Sequence, residues 1–247
     1  MKKKILVTGS EGFIGSHLVE ALIKKNHNVT CFVLYNSFNN LGWLRDLSKT
    51  KKKNFKVIFG DIRDSEQVRD SLKNQDVVIN LAALIGIPYS YKSVRSYFET
   101  NVMGLINILE ASKSLNLKKI IHVSTSEVFG NPKYLPIDEK HNYYSQSPYA
   151  ASKASADQLA LSYFNSFNLP ITIIRPFNTF GPRQSLRAVI PTLITQYLNN
   201  SKIVKVGSLF PVRDLTYIDD TVDAFLKVIH SKKNLSGMFF NSESITS

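Results

Sequence analysis

Tyr149 and Lys153 are the residues whose types and spacing most directly suggest chemistry. In the run Tyr149, Ala150, Ala151, Ser152, Lys153, helical geometry sets a phenol and an ammonium at i and i+4, on one face. A lysine cation that close favours the phenolate, so Tyr149 is expected to titrate well below the free value of ~10. A tyrosine poised in this way can take a proton from a hydroxyl group while hydride leaves the same carbon. An ordinary surface pair has the same spacing, so the rest of the chain must decide.

The second group is Gly9-x-x-Gly12-x-x-Gly15. It follows the short β-rich run Ile5, Leu6, Val7, Thr8 and precedes residues 17–25, where Leu18, Ala21 and Leu22 fall at helical spacing. Strand, glycine turn and helix are the context that a dinucleotide fingerprint requires. The glycines let the backbone approach a pyrophosphate, and the helix N-terminus faces its charge. The spacing is a variant of the usual GxGxxG.

The elements that must hold these groups alternate along the chain. Residues 28–33, 56–60, 76–81, 119–124 and 171–175 read as strands, with 76–81 almost continuously apolar as a central parallel strand should be. Residues 101–114 form an amphipathic helix with Val102, Leu105, Ile106 and Leu109 on one stripe, and residues 148–165 carry the Tyr/Lys pair. Residues 221–230 read as a further helix, with Asp219 and Asp220 opening it where acids complement the dipole, and 238–241 as one more strand. Alternation of this kind argues an α/β fold, a Rossmann-type doubly wound parallel sheet. Residues 1–177 are expected to form the dinucleotide-binding domain and 178–247 a partial substrate-binding lobe, some of which returns to the first domain. Ligands of such a sheet lie beyond the carboxyl ends of the strands. There the sequence places the glycine turn, Leu81, Ala82 and Ala83, then Ser124 to Glu127, and Asn178. The end of the second strand reads Leu34, Tyr35, Asn36, Ser37, without the carboxylate that usually accepts from the ribose hydroxyls. NAD and NADP therefore both stay open.

Bulk properties narrow the class. At 247 residues and 43% hydrophobic composition the chain can bury a sizeable core. Its single cysteine, Cys31, excludes an internal disulfide and suits a reducing compartment. The basic opening is followed by too short an apolar run for a signal peptide, and the longest uncharged stretch, 77–91, falls short of a membrane span. A soluble cytoplasmic protein, with no membrane partner, is expected. The net charge of +12 sits mostly in lysines near the termini and in loops, including 49–53, without aromatic interleaving. That favours a solvated surface and an anionic small-molecule substrate over nucleic acid. The five histidines are scattered without metal-ligand spacing, so no catalytic metal is expected.

Together these residues resemble the extended short-chain dehydrogenase/reductase family, which remodels nucleotide-activated sugars. The matching positions are Gly9, Gly12, Phe13, Ile14 and Gly15; Asp61 and Ile62; Leu81, Ala82 and Ala83; Asn101; Ser124 and Thr125; Tyr149 and Lys153; and Arg175, Pro176 and Asn178. They run through nearly the whole chain. Longer stretches (YNSFNNLGWL at 35–44, AALIGIPYSY at 82–91, STSEVFG at 124–130, 146–159 and RPFNTFGPRQ at 175–184) look like the bacterial NDP-N-acetylglucosamine 4,6-dehydratases of legionaminic acid biosynthesis.

The resemblance implies an NAD- or NADP-dependent 4,6-dehydratase acting on UDP- or GDP-N-acetylglucosamine, its cofactor tightly bound and recycled. Cofactor contacts are implied for the glycine-turn residues, Asp61, Ile62, Leu81, Ala82, Ala83, Asn101, Ser124, Tyr149, Lys153 and Pro176. Tyr149, helped by Lys153, would remove the C4 hydroxyl proton and Thr125 would hold the C4 oxygen. Glu127 would take the C5 proton, with Ser126 orienting a water or relaying a proton. Asn178, Arg183 and Arg213 are implied on the substrate side, the arginines gripping a diphosphate. A homodimer through a four-helix bundle of 101–114 and 148–165 is implied as well.

Two departures keep alternatives open. Many dehydratases of the family carry Asp–Glu where this chain has Ser126–Glu127, and the Ser–Glu form also occurs in nucleotide-sugar decarboxylases. A 4-epimerase or decarboxylase sharing the first oxidation is therefore the competing enzyme. Relatives also continue for several tens of residues past this point, which leaves a non-catalytic dinucleotide-binding protein as the reading from another class.

Overall fold

The computed structural model describes residues 2–49, 54–200, 202–208 and 210–242. Within the lysine stretch at 49–53, residues 50–53 lie outside the described residues. Nine strands are described: β1 Lys4–Thr8, β2 Asn28–Leu34, β3 Phe55–Gly60, β4 Val77–Asn80, β5 Lys119–Val123, β6 Ile171–Pro176, β7 Asn178–Phe180, β8 Leu215–Tyr217 and β9 Phe239–Ser242. Helices of eight or more residues are α1 Phe13–Lys24, α2 Ser65–Leu72, α3 Gly104–Ser112, α4 Pro148–Phe167, α5 Val189–Leu198 and α6 Ile218–His230.

Seven strands form one parallel sheet in the order β3-β2-β1-β4-β5-β6-β9. The expected Rossmann-type sheet is therefore observed. Its pleat explains the near-continuous apolar runs, because successive side chains face opposite layers. Ile5 and Val7 join the cluster formed with α1 and α6, through Leu18, Leu22, Phe225 and Ile229. Leu6 and Val78 join the opposite cluster with Val68, Leu105, Ile108 and Ala160, supplied by α2, α3 and α4. The chain reverses its order of strand addition between β1 and β4, and a crevice opens there at the strand ends.

Local signals set the helix limits. Asp64 caps α2 by accepting from the N–H groups of Glu66 and Gln67, both at 3.0 Å. Ser147 caps α4 by accepting from Ala150 N–H at 3.1 Å, with Pro148 opening the first turn. That helix ends at Asn168, which adopts the left-handed conformation at φ 54°.

Two features depart from the expected elements. The helix expected at 101–114 begins earlier: Val94–Phe98 runs into a π-helical turn, Glu99–Met103, before α3. The stretch after β6 also holds elements absent from the sequence reading. β7 and β8 pair as a separate two-stranded parallel sheet, with α5 between them in sequence. α6 and β9 then return to the main sheet, α6 beginning at Ile218 with Asp219 and Asp220 in its first turn. No described helix is long and apolar enough to cross a membrane.

Candidate active site

Two clefts meet above the carboxyl ends of the strands. The first, about 410 Å³, is lined by the glycine turn, Leu34, Asp61, Ile62 and Arg63, and by Leu81, Ala82 and Ala83 after β4. The turn is forced to be glycine at two points. Gly9 sits at φ +62°, and a Cβ on it would lie 2.9 Å from Ala82 N. A Cβ on Gly15 would lie 2.3 Å from Gly9 O and 2.8 Å from Ser10 Cα, so nothing larger lets α1 start this close to the strand. The turn is stitched to β4 through Thr8, whose hydroxyl donates to Asn80 Oδ1 at 2.8 Å and accepts from Ala82 N–H at 3.0 Å. A low backbone cradle at a helix N-terminus, walled by apolar residues, fits a dinucleotide pyrophosphate and its nucleoside.

The second cleft, about 1090 Å³, shares Phe13, Ile14 and Ile85 with the first. Its floor includes Ser124, Thr125, Tyr149 and Pro176, and its far wall is the segment from Thr179 through α5. Thr125 follows β5, and its hydroxyl accepts from Glu127 N–H at 3.2 Å, fixing the turn that presents Ser126 and Glu127. Tyr149 is buried on α4, one turn before Lys153. The Tyr97 ring packs edge-on against it, with centroids 6.3 Å apart.

The electrostatics reverse one expectation. Burial pushes the Tyr149 phenol up to about 12, and the opposing pull of the Thr125 hydroxyl is smaller. Lys153 does not offset this, because its own burial holds the ammonium down at about 8 and its Nζ donates to the Val123 carbonyl. The two residues stand one helical turn apart, and desolvation dominates the titration of both in the protein alone. A phenolate here needs further positive charge beside it. An oxidised nicotinamide ring is a cation.

Beneath Lys153 lies a network that sequence reading missed. Asp157, fully buried one further turn along α4, accepts from Arg175 Nε at 3.1 Å and from the Tyr143 hydroxyl at 3.1 Å. Arg175 Nη2 in turn donates to the Tyr143 hydroxyl, and its guanidinium lies 4.2 Å from the Phe239 ring centroid. Burial pushes the Asp157 carboxyl up, against the pull of Arg175. His122, on β5, places Nε2 3.6 Å from Asp157 Oδ1, and burial keeps its imidazole neutral. The available signal was the spacing: Tyr149, Lys153 and Asp157 recur every four residues on one helical face.

The other expected residues divide between the clefts and their supports. Asn101 does not line the first cleft. Within the π-helical turn it accepts from Leu84 N–H at 2.9 Å and donates to Leu84 O at 3.0 Å and Ser152 Oγ at 2.9 Å, bracing the loop after β4 against α4. Asn178 lies in β7 outside the second cleft's lining, whereas its neighbour Thr179 contributes to it. Arg183 lines that cleft but is held by α1, through Ser16 Oγ at 3.2 Å and an ion pair with Glu20. Arg213, half exposed, lies 3.8 Å from the Glu127 carboxylate. Among the described residues no cluster of three His, Cys, Asp or Glu side chains is arranged to hold a metal ion.

Residues 6–246 match the family model of GDP-mannose 4,6 dehydratase. The chain is 39% identical to the dTDP-D-glucose 4,6-dehydratase of Dictyostelium discoideum, over 90% of this chain and 54% of that protein, so it spans about half of that relative's length. It is 34% identical to the UDP-N-acetyl-alpha-D-glucosaminuronate decarboxylase of Bacillus cytotoxicus, over 95% of this chain and 73% of that one. Among solved structures it superposes on the UDP-glucuronic acid 4-epimerase of Bacillus cereus in complex with UDP-glucuronic acid and NAD. The TM-score is 0.88 at 34% identity, covering 97% of this chain and 77% of the other.

Proposed function

Because this chain belongs to the GDP-mannose 4,6-dehydratase family of extended short-chain dehydrogenases/reductases, we propose that it dehydrates a nucleotide-activated hexosamine, UDP- or GDP-N-acetylglucosamine, to the 4-keto-6-deoxy sugar. The observation that carries this reading is that Thr125 and Tyr149 both line the second cleft, with Lys153 one helical turn beyond Tyr149 and Glu127 two residues beyond Thr125. The family binds NAD(P), and the glycine-lined cleft fits that group; the bound dinucleotide supplies the acceptor and donor for hydride.

The chain's own residues move the protons. Tyr149 takes the proton of the C4 hydroxyl, and Thr125 holds the C4 oxygen as it becomes a carbonyl. That carbonyl acidifies C5, whose proton passes to the Glu127 carboxylate. The C6 hydroxyl leaves as water once it receives a proton, which Ser126 helps relay. A proton returns to C5, and the bound dinucleotide would restore to C6 the hydride taken from C4, so two protons are taken up, two are given back, and the sugar loses one water. Lys153, whose Nζ donates to Val123 O and feels the Asp157 charge, would bond the nicotinamide ribose of a bound dinucleotide.

Ser126, in the place of an acidic residue, favours a second reading: 4-epimerisation, or decarboxylation of a C6 uronate, after the same first oxidation. The deciding experiment is mass spectrometry of products from UDP- and GDP-N-acetylglucosamine, with NAD⁺ and NADP⁺ separately. Loss of one water, abolished by Glu127→Gln, is expected. An isobaric product inverted at C4, formed equally well by Glu127→Gln, would replace the dehydratase with an epimerase. The helices at 101–114 and 148–165 are the surfaces through which we infer a homodimer, and a monomeric mass by light scattering would end that inference.

A further inference from the structure

The end of β2 carries no acidic residue of its own, yet the structure brings a carboxylate there. Glu11, inside the glycine turn, reaches across so that Oε1 accepts from Leu34 N–H at 3.0 Å, the last residue of β2. Its second oxygen, Oε2, is buried without a hydrogen-bond partner among the described residues. Glu11 and Leu34 both line the glycine-lined cleft. The loop after β2 is folded onto the same residue: Trp43 N–H donates to Glu11 O at 3.1 Å, and a Cβ on Gly42 would lie 3.1 Å from Glu11 Cβ. Glu11 is thus held from two sides, its side chain by Leu34 and its backbone by Trp43, with one carboxylate oxygen unsatisfied where the ribose of a dinucleotide would be read.

A buried carboxylate oxygen without a partner is costly unless a ligand donor completes it. We propose that Glu11 supplies from the glycine turn the carboxylate that β2 lacks, accepting from the adenosine ribose 2′-hydroxyl and selecting NAD over NADP. A 2′-phosphate at that point would set two or more negative charges against a fixed buried one. The basic side chain among the described residues of this cleft does not offset them. Arg63 is held by Asp61, with Nε at 2.9 Å and 3.1 Å from its two oxygens.

The proposal rests on a dinucleotide occupying this cleft, and the test separates the two ideas. Protein stripped of bound nucleotide is titrated with NAD⁺ and NADP⁺ by calorimetry and by the fluorescence of Trp43, the chain's single tryptophan. Wild-type protein is expected to prefer NAD⁺ by about a hundredfold. NAD⁺ lacking the adenosine 2′-hydroxyl should bind about tenfold or more weaker than NAD⁺ itself. Glu11→Gln keeps an oxygen for Leu34 N–H but loses the charge, so the preference should fall about tenfold or more, with NADP⁺ gaining. An unchanged NAD⁺/NADP⁺ ratio in Glu11→Gln, both affinities shifting together, would leave Glu11 a support for the loop and overturn the proposal. Equal affinity of the wild-type protein for both dinucleotides would overturn it without any variant. Binding of neither would overturn the cofactor reading with it.

Discussion

The two clefts share Phe13, Ile14 and Ile85, yet their outer walls are built differently. The walls of the first are strand ends and helix starts locked into the sheet, with Gly15 and Ile62 buried and the strands below them fully buried at Ile5, Val7, Val78 and Ile79. The far wall of the second is α5, none of whose ten described residues is buried. Around it Leu186, Ile194, Tyr197 and Leu198 are all more than half exposed. A wall packed on both sides fixes geometry to fractions of an ångström, while one resting on few contacts is drawn from the low-stability end of the molecule. The difference teaches where each property resides: fixed geometry belongs to the cleft walls built from the sheet, and adaptability to the segment from β7 to β8.

The largest expected effect tests whether chemistry sits wholly on the rigid side. Tyr149→Phe should lower turnover about 10²–10⁴-fold, as loss of a positioned acid–base group does, while calorimetric affinity for the dinucleotide stays within about twofold. A parallel loss of dinucleotide binding would mean that Tyr149 serves the first cleft's structure. Next in size, Arg175→Met strands Asp157 as a buried charge and should cost about 3–5 kcal/mol in denaturant melts. Arg213→Met, on the exposed side, should stay within about 0.5 kcal/mol.

Core truncation sharpens the contrast further. Ile79→Ala, in the middle of the sheet, should cost about 2–5 kcal/mol, and Ile194→Ala on α5 about 0.5 kcal/mol or less. Equal costs for the two would break the comparison. The smallest effect is in pH. The Lys153 ammonium titrates at about 8 in the folded protein against an ordinary 10.5, so between those values the unfolded chain binds more protons. Wild-type stability relative to Lys153→Met should therefore rise as pH climbs from about 8 to about 10.5. A difference that stays flat across that window would show that Lys153 is not desolvated as its burial implies.

Much of the rigid side was legible in the sequence, because sheet and glycine turn are dictated locally. The apolar runs at β1 and β4 have no polar alternation to place on a wet face, and Gly15 is required by contacts with Gly9 and Ser10 a few residues away, whereas Gly9 is required by its left-handed turn and by Ala82 across the sheet. The Tyr149/Lys153 pairing followed from helical spacing alone. Its electrostatics did not, since the phenol's rise reflects three-dimensional burial by Tyr97 and by the strand ends. The motif position of Asn101 implies a cofactor contact, while its bonds to Leu84 and Ser152 arise from the π-helical turn, which residue types alone do not signal. α5, β7 and β8 escaped because they bury little, and burial periodicity is the signal that sequence reading uses. Glu11 escaped for a different reason. Its partner is the end of β2, a neighbour only once β1 and β2 have paired.

The placement of β9 has a consequence for synthesis. Phe239 completes the stack on the Arg175 guanidinium, and β9 covers the outer edge of β6 in parallel register from Ile173 to Pro176. Chains emerge from the ribosome N-terminus first, and domains close as units. Until Phe239–Ser242 has left the exit tunnel, β6 offers an unpaired edge, with the Arg175–Asp157 pair behind it open to water. The nascent polypeptide thus holds the residues of both clefts some time before it can assemble them, and it is exposed to aggregation for as long as that edge stays unpaired.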